Sequence, residues 1–363
     1  MKRNKVSNIQ IKALIVTTIV GVGILSLPSD VALILNNDGW IAIVLGGLIT
    51  IPFIMIIDRI FKMYPNKSFF QIGREVLNPI IFNLFLILIL VYSILLLAYA
   101  TRTFAEVIKA YLLETTPTEI IIITMLVAVS YIARGQIEDI ARMALIIYPI
   151  IIASVIFLVV INLPNMDYTN IYPIFNISPK VIPKGIMAAL FSYLGYEFII
   201  FALPYAEDSK KTLGYSLRAM FFVIGIYLIV FLVTLSQYGV DQLKREIWPT
   251  IAVIKEVDLP GYFLENLDGI VMAVWVMVVF GTLGPFLYAS GLILSNIFKT
   301  KTHDFLILYL LPIIYIIGLI PENIVQINEI LGKLVNYFAI ASVMIIPTII
   351  FVLAYIKKRR QKI

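Results

Sequence analysis

Gly21-Val22-Gly23-Ile24-Leu25-Ser26-Leu27-Pro28 lies inside an apolar run at about 12–35 that is long enough to cross a bilayer as one helix. Two glycines weaken a helix and Pro28 has no N–H to donate, so a break here leaves backbone groups unpaired at membrane depth. A bilayer tolerates such groups only where they line a cavity or bind something. The plainer alternative is a tight helix crossing at Gly21 and Gly23 with a kink at Pro28.

The rest of the chain supplies the membrane context. Of 363 residues 61% are hydrophobic and only 14% charged, against about 25% charged in an ordinary soluble domain, which excludes a water-soluble globular fold. Further apolar runs at about 39–61, 80–110, 119–134, 142–163, 184–205, 215–239, 268–298, 303–320 and 335–356 make ten spans in all. They are read as helices, because the alternation of a barrel strand is absent and lipid offers the backbone no partner. The first run is too long for a signal peptide and lacks a small-residue cleavage site. The expectation is an all-α polytopic protein, a single integral membrane domain over 1–363. Its two five-helix halves cover about 12–163 and about 184–356.

Charge placement orients the chain. With Met1-Lys2-Arg3-Asn4-Lys5 in the cytoplasm, only Arg102, Lys109, Lys180, Lys184, Lys244, Arg245, Lys255 and Lys333 of the 28 Lys and Arg fall outside. The positive-inside rule is then met with both termini on the cytoplasmic side, and an odd number of spans would break it. Between spans, two connections on the outer side are long, at about 164–183 and 240–267. The second contains Trp248-Pro249-Thr250 and is either a short helix over the mouth of the bundle or a plain solvated loop.

Soluble-type chemistry has little to work with. There is no cysteine, and the single histidine, His303, lies between spans beside Lys299, Lys301 and Asp304. No catalytic residue, metal or cofactor is expected, and a membrane enzyme is disfavoured by the lack of a nucleophile–base pair. Basic stripes with interleaved aromatics are missing, so nucleic acid is not an expected partner; membrane lipid is.

A second breach of membrane rules is Phe191-Ser192-Tyr193-Leu194-Gly195-Tyr196-Glu197. An isolated charge in hydrocarbon costs at least about 2.5 kcal/mol, so Glu197 must face the bundle interior and be partnered or protonated. Outside span three it is read as the one acid at that depth. It either holds the broken first helix by hydrogen bonds or moves a proton. Interrupted helices at spans one and six occupy corresponding positions in two halves of opposite orientation, the pattern of inverted-repeat transporters, whose site lies between the breaks at the midplane. In span three, Arg102 and Glu106 are one turn apart and form a structural or gating ion pair, with Lys109 beyond. Thr282, in Phe280-Gly281-Thr282-Leu283-Gly284-Pro285, is a hydroxyl in mid-span eight that either bonds back to its own helix or serves the site.

Taken together, these motifs resemble those of the amino acid/polyamine/organocation transporter superfamily, and within it the B subunits of GerA-type spore germinant receptors, a spore permease family. Further markers are Asp38-Gly39-Trp40, Arg102 with Glu106, the Tyr131 to Arg142 segment, Leu163-Pro164-Asn165 with Asp167 and Asn170, and Trp248-Pro249-Thr250 followed by Glu265. The resemblance implies a LeuT-like 5+5 inverted repeat with broken helices 1 and 6, in the inner membrane of a bacterial endospore. It implies work with A-type and lipoprotein C-type subunits to sense a nutrient, not to accumulate one. By the same resemblance a small-molecule nutrient, expected to be an amino acid, meets Gly21, Val22, Gly23 and Ile24, Ser192, Tyr193, Leu194 and Gly195, Leu96, and Thr282. Unpaired N–H groups at a half-helix N-terminus suit a carboxylate and carbonyls at a C-terminus suit an ammonium. The competing class is a proton- or sodium-coupled amino acid permease. Against it, span five has no Lys, Asp or Glu beyond its first residue, Arg142, where many proton-coupled relatives place a lysine.

Overall fold

A computed structural model describes residues 5–256 and 267–360. The basic residues at positions 1–4, Glu265 and Lys362 lie outside the described residues. Sixteen helices follow in order, beginning with α1 (Asn8–Ile19), α2 (Gly23–Leu35), α3 (Gly39–Met63), α4 (Phe69–Val76), α5 (Pro79–Tyr111), α6 (Thr118–Ala133) and α7 (Ile137–Asn162). The second half contains α8 (Ile182–Ser192), α9 (Ile199–Ala202), α10 (Thr212–Leu243), α11 (Pro249–Lys255), α12 (Leu267–Phe298) and α13 (Asp304–Leu319). It closes with α14 (Ile324–Gln326), α15 (Lys333–Ala339) and α16 (Ile346–Arg360), joined by two π turns at Ile327–Gly332 and Ile340–Ile345.

Among the described residues six helical stretches are long and apolar enough to cross a membrane, and Pro179–Ser192 with Tyr196–Tyr205 forms a further pair bent by 50°. Asn8–Ile19, Thr118–Ala133 and Asp304–Leu319 are apolar but shorter. The 41-residue stretch Gly23–Met63 would measure about 60 Å as a straight rod, twice the hydrocarbon thickness. It is instead a hairpin: Asn36 turns at φ 51°, a 3-10 turn spans Asn36–Asp38, and α2 packs beside α3.

Local chemistry sets several ends. Ser7 and Gln10 form a capping box that starts α1 at Asn8, earlier than the apolar run alone indicates. Ser68 and Gln71 do the same for α4, and Asn78 with Pro79 at the first position starts α5. The last helical stretch begins at Ile324, well before the expected start near 335, because its first turns include Glu329 and Lys333 among apolar residues.

Within the bundle the half-helices are paired. Helix α2 packs on α8, and α1 packs on the Tyr196–Phe198 turn and α9. Around them α1 lies against α7 and α10, α12 against α5 and α6, and α16 against α3. The two breaks therefore face each other in the interior of the molecule.

Candidate functional site

The first break covers Val20, Gly21 and Val22, between α1 and α2. Pro28 does not cause it; the proline sits inside α2. Its effect appears one turn back, where the missing N–H frees the Ile24 carbonyl. The Thr250 hydroxyl of α11 donates to that carbonyl at 2.8 Å. This gives Trp248-Pro249-Thr250 a physical role, and settles the segment as a buried short helix, not a solvated loop.

Other carbonyls at the break are met from elsewhere in the bundle. Thr282 Oγ1 on α12 donates to Thr17 O at 3.0 Å, and not to its own helix. Ser192 Oγ on α8 donates to Gly23 O at 3.2 Å. The Tyr227 hydroxyl on α10 shares its proton between Ser192 O at 2.7 Å and Ile19 O at 3.1 Å, tying the two breaks to one side chain. The glycines permit this closeness: a Cβ on Gly21 would lie 2.2 Å from Thr282 Oγ1, and one on Gly23 3.0 Å from Ser192 Cα.

The second break runs over Tyr193, Leu194 and Gly195. Gly195 adopts φ 125°, a conformation that side chains disfavour, and a Cβ there would meet Thr18 O at 2.5 Å. Its N–H donates to Glu197 Oε2 at 2.9 Å, while the Tyr92 hydroxyl of α5 donates to Oε1 at 2.6 Å. Glu197, 7% exposed, thus braces its own break against α5 and does not hold the first helix. The space beside it is about 20 Å³, roughly one water molecule.

Gly21, Gly23, Ser192, Gly195 and Thr282 are therefore brought together. Val22 and Ile24 are buried beside them. Tyr193 points away, its ring 5.2 Å from that of Tyr227 and its hydroxyl donating to Ile43 O of α3 at 2.7 Å. Leu194 is partly buried, packed against the core. Leu96 is buried on α5, one turn beyond Tyr92. Arg102 and Glu106 form the expected pair at 2.8 Å, with Arg102 buried.

Asp30 corrects the sequence account. It lies on α2, partly buried and close to Ser26 and Tyr99, so Glu197 is not the sole acid within a span outside span three. The signal was the single acid inside the run at about 12–35, available to any hydropathy reading. Tyr92 and Tyr227 had none, since 20 tyrosines are spread along the chain.

The ends of the bundle are held differently. At one end Asn37 Nδ2 donates to Asn170 O at 2.7 Å, Asp38 accepts from the Phe175 and Asn176 N–H groups at 2.6 and 2.8 Å, and Trp40 meets Phe175 edge-on. The Asp38-Gly39-Trp40 and Asp167/Asn170 markers thus belong to one clamp, with Asn170 also bonded to Ser236 O. At the other end Val6 exchanges backbone bonds with Tyr205 and Glu207, and the Lys5 N–H donates to Glu138. His303, between α12 and α13 as expected, is buried there, with Nε2 3.2 Å from Ala133 O and its ring edge-on to Tyr288.

Comparisons with known proteins agree with this architecture. The family described as "Spore germination protein" matches residues 5–327. The chain is 25% identical to spore germination protein YndE of Bacillus subtilis (strain 168), covering 99% of both chains. It is 26% identical to spore germination protein A2 of the same organism, over 98% of this chain and 97% of that one. Among solved structures it resembles Mhp1, a nucleobase-cation-symport-1 family transporter in a closed conformation with bromovinylhydantoin bound, at a TM-score of 0.73 and 13% identity. That match covers 96% of this chain and 78% of Mhp1, and at this identity it speaks for the fold alone: an all-helical, LeuT-type transporter fold.

Proposed function

The chain belongs to the spore germination protein family, and from that premise we propose that it is the membrane subunit through which a germinant receptor senses a nutrient. It is an integral membrane protein of a transporter-like, non-enzymatic family. The finer reading is ten crossings in a 5+5 inverted repeat forming one domain, with spans one and six broken. Both termini face the core side of the spore inner membrane, and A-type and lipoprotein C-type subunits are its partners.

One observation carries the reading: backbone carbonyls at both breaks are held by single hydroxyls from other helices, Ser192, Thr250, Thr282 and Tyr227. Each is a contact that a small polar ligand can replace. In this reading the nutrient is an amino acid, its carboxylate toward the N–H groups that open α2 and its ammonium toward the carbonyls that end α1. Gly21, Val22, Gly23, Ile24, Ser192, Leu194, Gly195, Thr282 and Leu96 surround it, and Tyr193 supports the break from behind. Binding would trade the Ser192–Gly23 and Thr282–Thr17 contacts for contacts to ligand and so shift the packing of the breaks.

The second reading, a proton- or sodium-coupled permease, is favoured by acids within the helices around the breaks, Glu197 and Asp30, and by the transporter fold. The purified protein in liposomes separates the two. The receptor reading expects no amino acid accumulation under a proton or sodium gradient. Gradient-driven uptake that is lost on Glu197→Gln establishes the permease instead.

A further inference from the structure

Helix α2 is buried on every side but one. Gly23, Ser26, Asp30, Leu33 and Ile34 keep some exposure, while Leu25, Leu27, Pro28, Val31 and Ala32 among them are buried. Steps of three and four residues put the first five on a single stripe. It starts at the first break and runs toward the end of the bundle that the Asn37 clamp holds. A carboxylate turned to hydrocarbon is costly, so the stripe that carries Asp30 faces inward.

Asp30 lacks a counter-charge. Among the described residues no Lys, Arg or His forms an ion pair with it. The groups close to it are neutral: Ser26 on its own helix and Tyr99 on α5. The Tyr99 hydroxyl donates its proton to Asn328 Oδ1 at 3.1 Å, and the Tyr99 ring meets Phe191 of α8 edge-on at 5.1 Å. A carboxylate with aromatic rings beside it and no protein cation suits an organic cation: the carboxylate supplies the charge and the rings add to its attraction.

Distance decides which cation. Gly23 and Asp30 are seven residues apart, about 10 Å along the axis. Helical side chains lean back toward the N-terminus, which leaves the Asp30 carboxylate roughly 8 Å from the N–H groups that open α2. An ammonium on the α-carbon of a ligand held at those N–H groups falls short of it. The side-chain nitrogen of lysine stands six bonds from its carboxylate carbon, roughly 7.5 Å in a staggered chain, and reaches. On α5, Leu96 lies one turn before Tyr99, an apolar surface for the methylene stem ahead of the ring at the cation.

We propose that the ligand is a basic amino acid of about the length of lysine, its side-chain cation paired with Asp30 and its carboxylate at the opening of α2. This rests on the amino acid site proposed between the breaks, and makes Asp30 the residue that sets the ligand class.

Binding of radiolabelled L-lysine is measured on the purified protein in lipid nanodiscs. The competitors are L-norleucine, which lacks the side-chain nitrogen, and cadaverine, which lacks the carboxylate. Saturable lysine binding is expected, with each competitor about tenfold or more weaker than unlabelled lysine. Asp30→Asn is expected to weaken lysine by about tenfold or more and to leave labelled norleucine within about twofold. The wild-type comparison of the three compounds stands even if the variant fails to insert. Norleucine or another neutral amino acid binding as tightly as lysine overturns the role of Asp30 and leaves the amino acid site in place, as does unchanged lysine binding by Asp30→Asn. If none of the standard amino acids binds, the amino acid site itself falls and this inference with it.

Discussion

The two breaks solve the same problem by different means. The second has a local brace beside its bonds from Tyr92 and Tyr227: Gly195 supplies the φ of 125° and Glu197, two residues on, accepts the Gly195 N–H. The first has no such local brace. Its carbonyls depend on Thr250, Thr282, Ser192 and Tyr227, contributed by α11, α12, α8 and α10. A break with a local brace makes the stiffer platform, whereas one held only by four separate helices changes whenever any of them moves. Under the proposed function, the first break is thus the one expected to report a ligand.

The strongest way to break this contrast is Gly195→Ala. It puts a Cβ 2.5 Å from a backbone oxygen at a left-handed φ, a combination worth on the order of 1–3 kcal/mol of strain. The expected outcome is a lower melting temperature of the purified protein and little inserted in membranes. Wild-type melting would mean that the second break is not fixed by its own residues.

Glu197 comes next, and its two variants separate hydrogen bonding from charge. Glu197→Ala leaves the Tyr92 hydroxyl and the Gly195 N–H unpaired, at about 1–3 kcal/mol each, and is expected to abolish nutrient-triggered germination. Glu197→Gln keeps a carbonyl acceptor and weakens the response only in part. Equal loss in both, at matched protein levels, would show that the charge matters and not the brace.

Leu in place of Gly21 or Gly23 should leave the protein inserted while ending the response to nutrient, because the side chain occupies the approach between the breaks. Normal germination at unchanged nutrient concentration would separate the first break from ligand sensing. The smallest effects belong to Thr250→Val and Thr282→Val, nearly isosteric, each freeing one carbonyl at about 1 kcal/mol. Both should shift the nutrient concentration required by several-fold with protein levels intact. An unshifted dose response for Thr282→Val would confine that hydroxyl to bracing α1.

Asp30 and Pro28 mark the limits of what hydropathy conveys. Pro28 was expected to break the helix and instead sits within α2, since the carbonyl it strands finds Thr250 some 226 residues away. Asp30 was averaged into its apolar surroundings, and its neighbours Ser26 and Tyr99 give it a place that window-based hydropathy cannot express.

What the sequence determined by itself is what short-range chemistry controls: apolar length makes the spans, Gly21, Gly23 and Gly195 locate the two interruptions, and the Arg102–Glu106 spacing makes its own ion pair one turn apart. The tertiary structure alone decided which side chains satisfy the opened backbone, that Glu197 braces its own break, and that Tyr193 turns toward Ile43. Apart from Gly195 and Glu197, those partners lie tens to hundreds of residues apart along the chain. A hydrogen bond is directional and reaches about 3 Å, so only the packing of whole helices brings its two ends together.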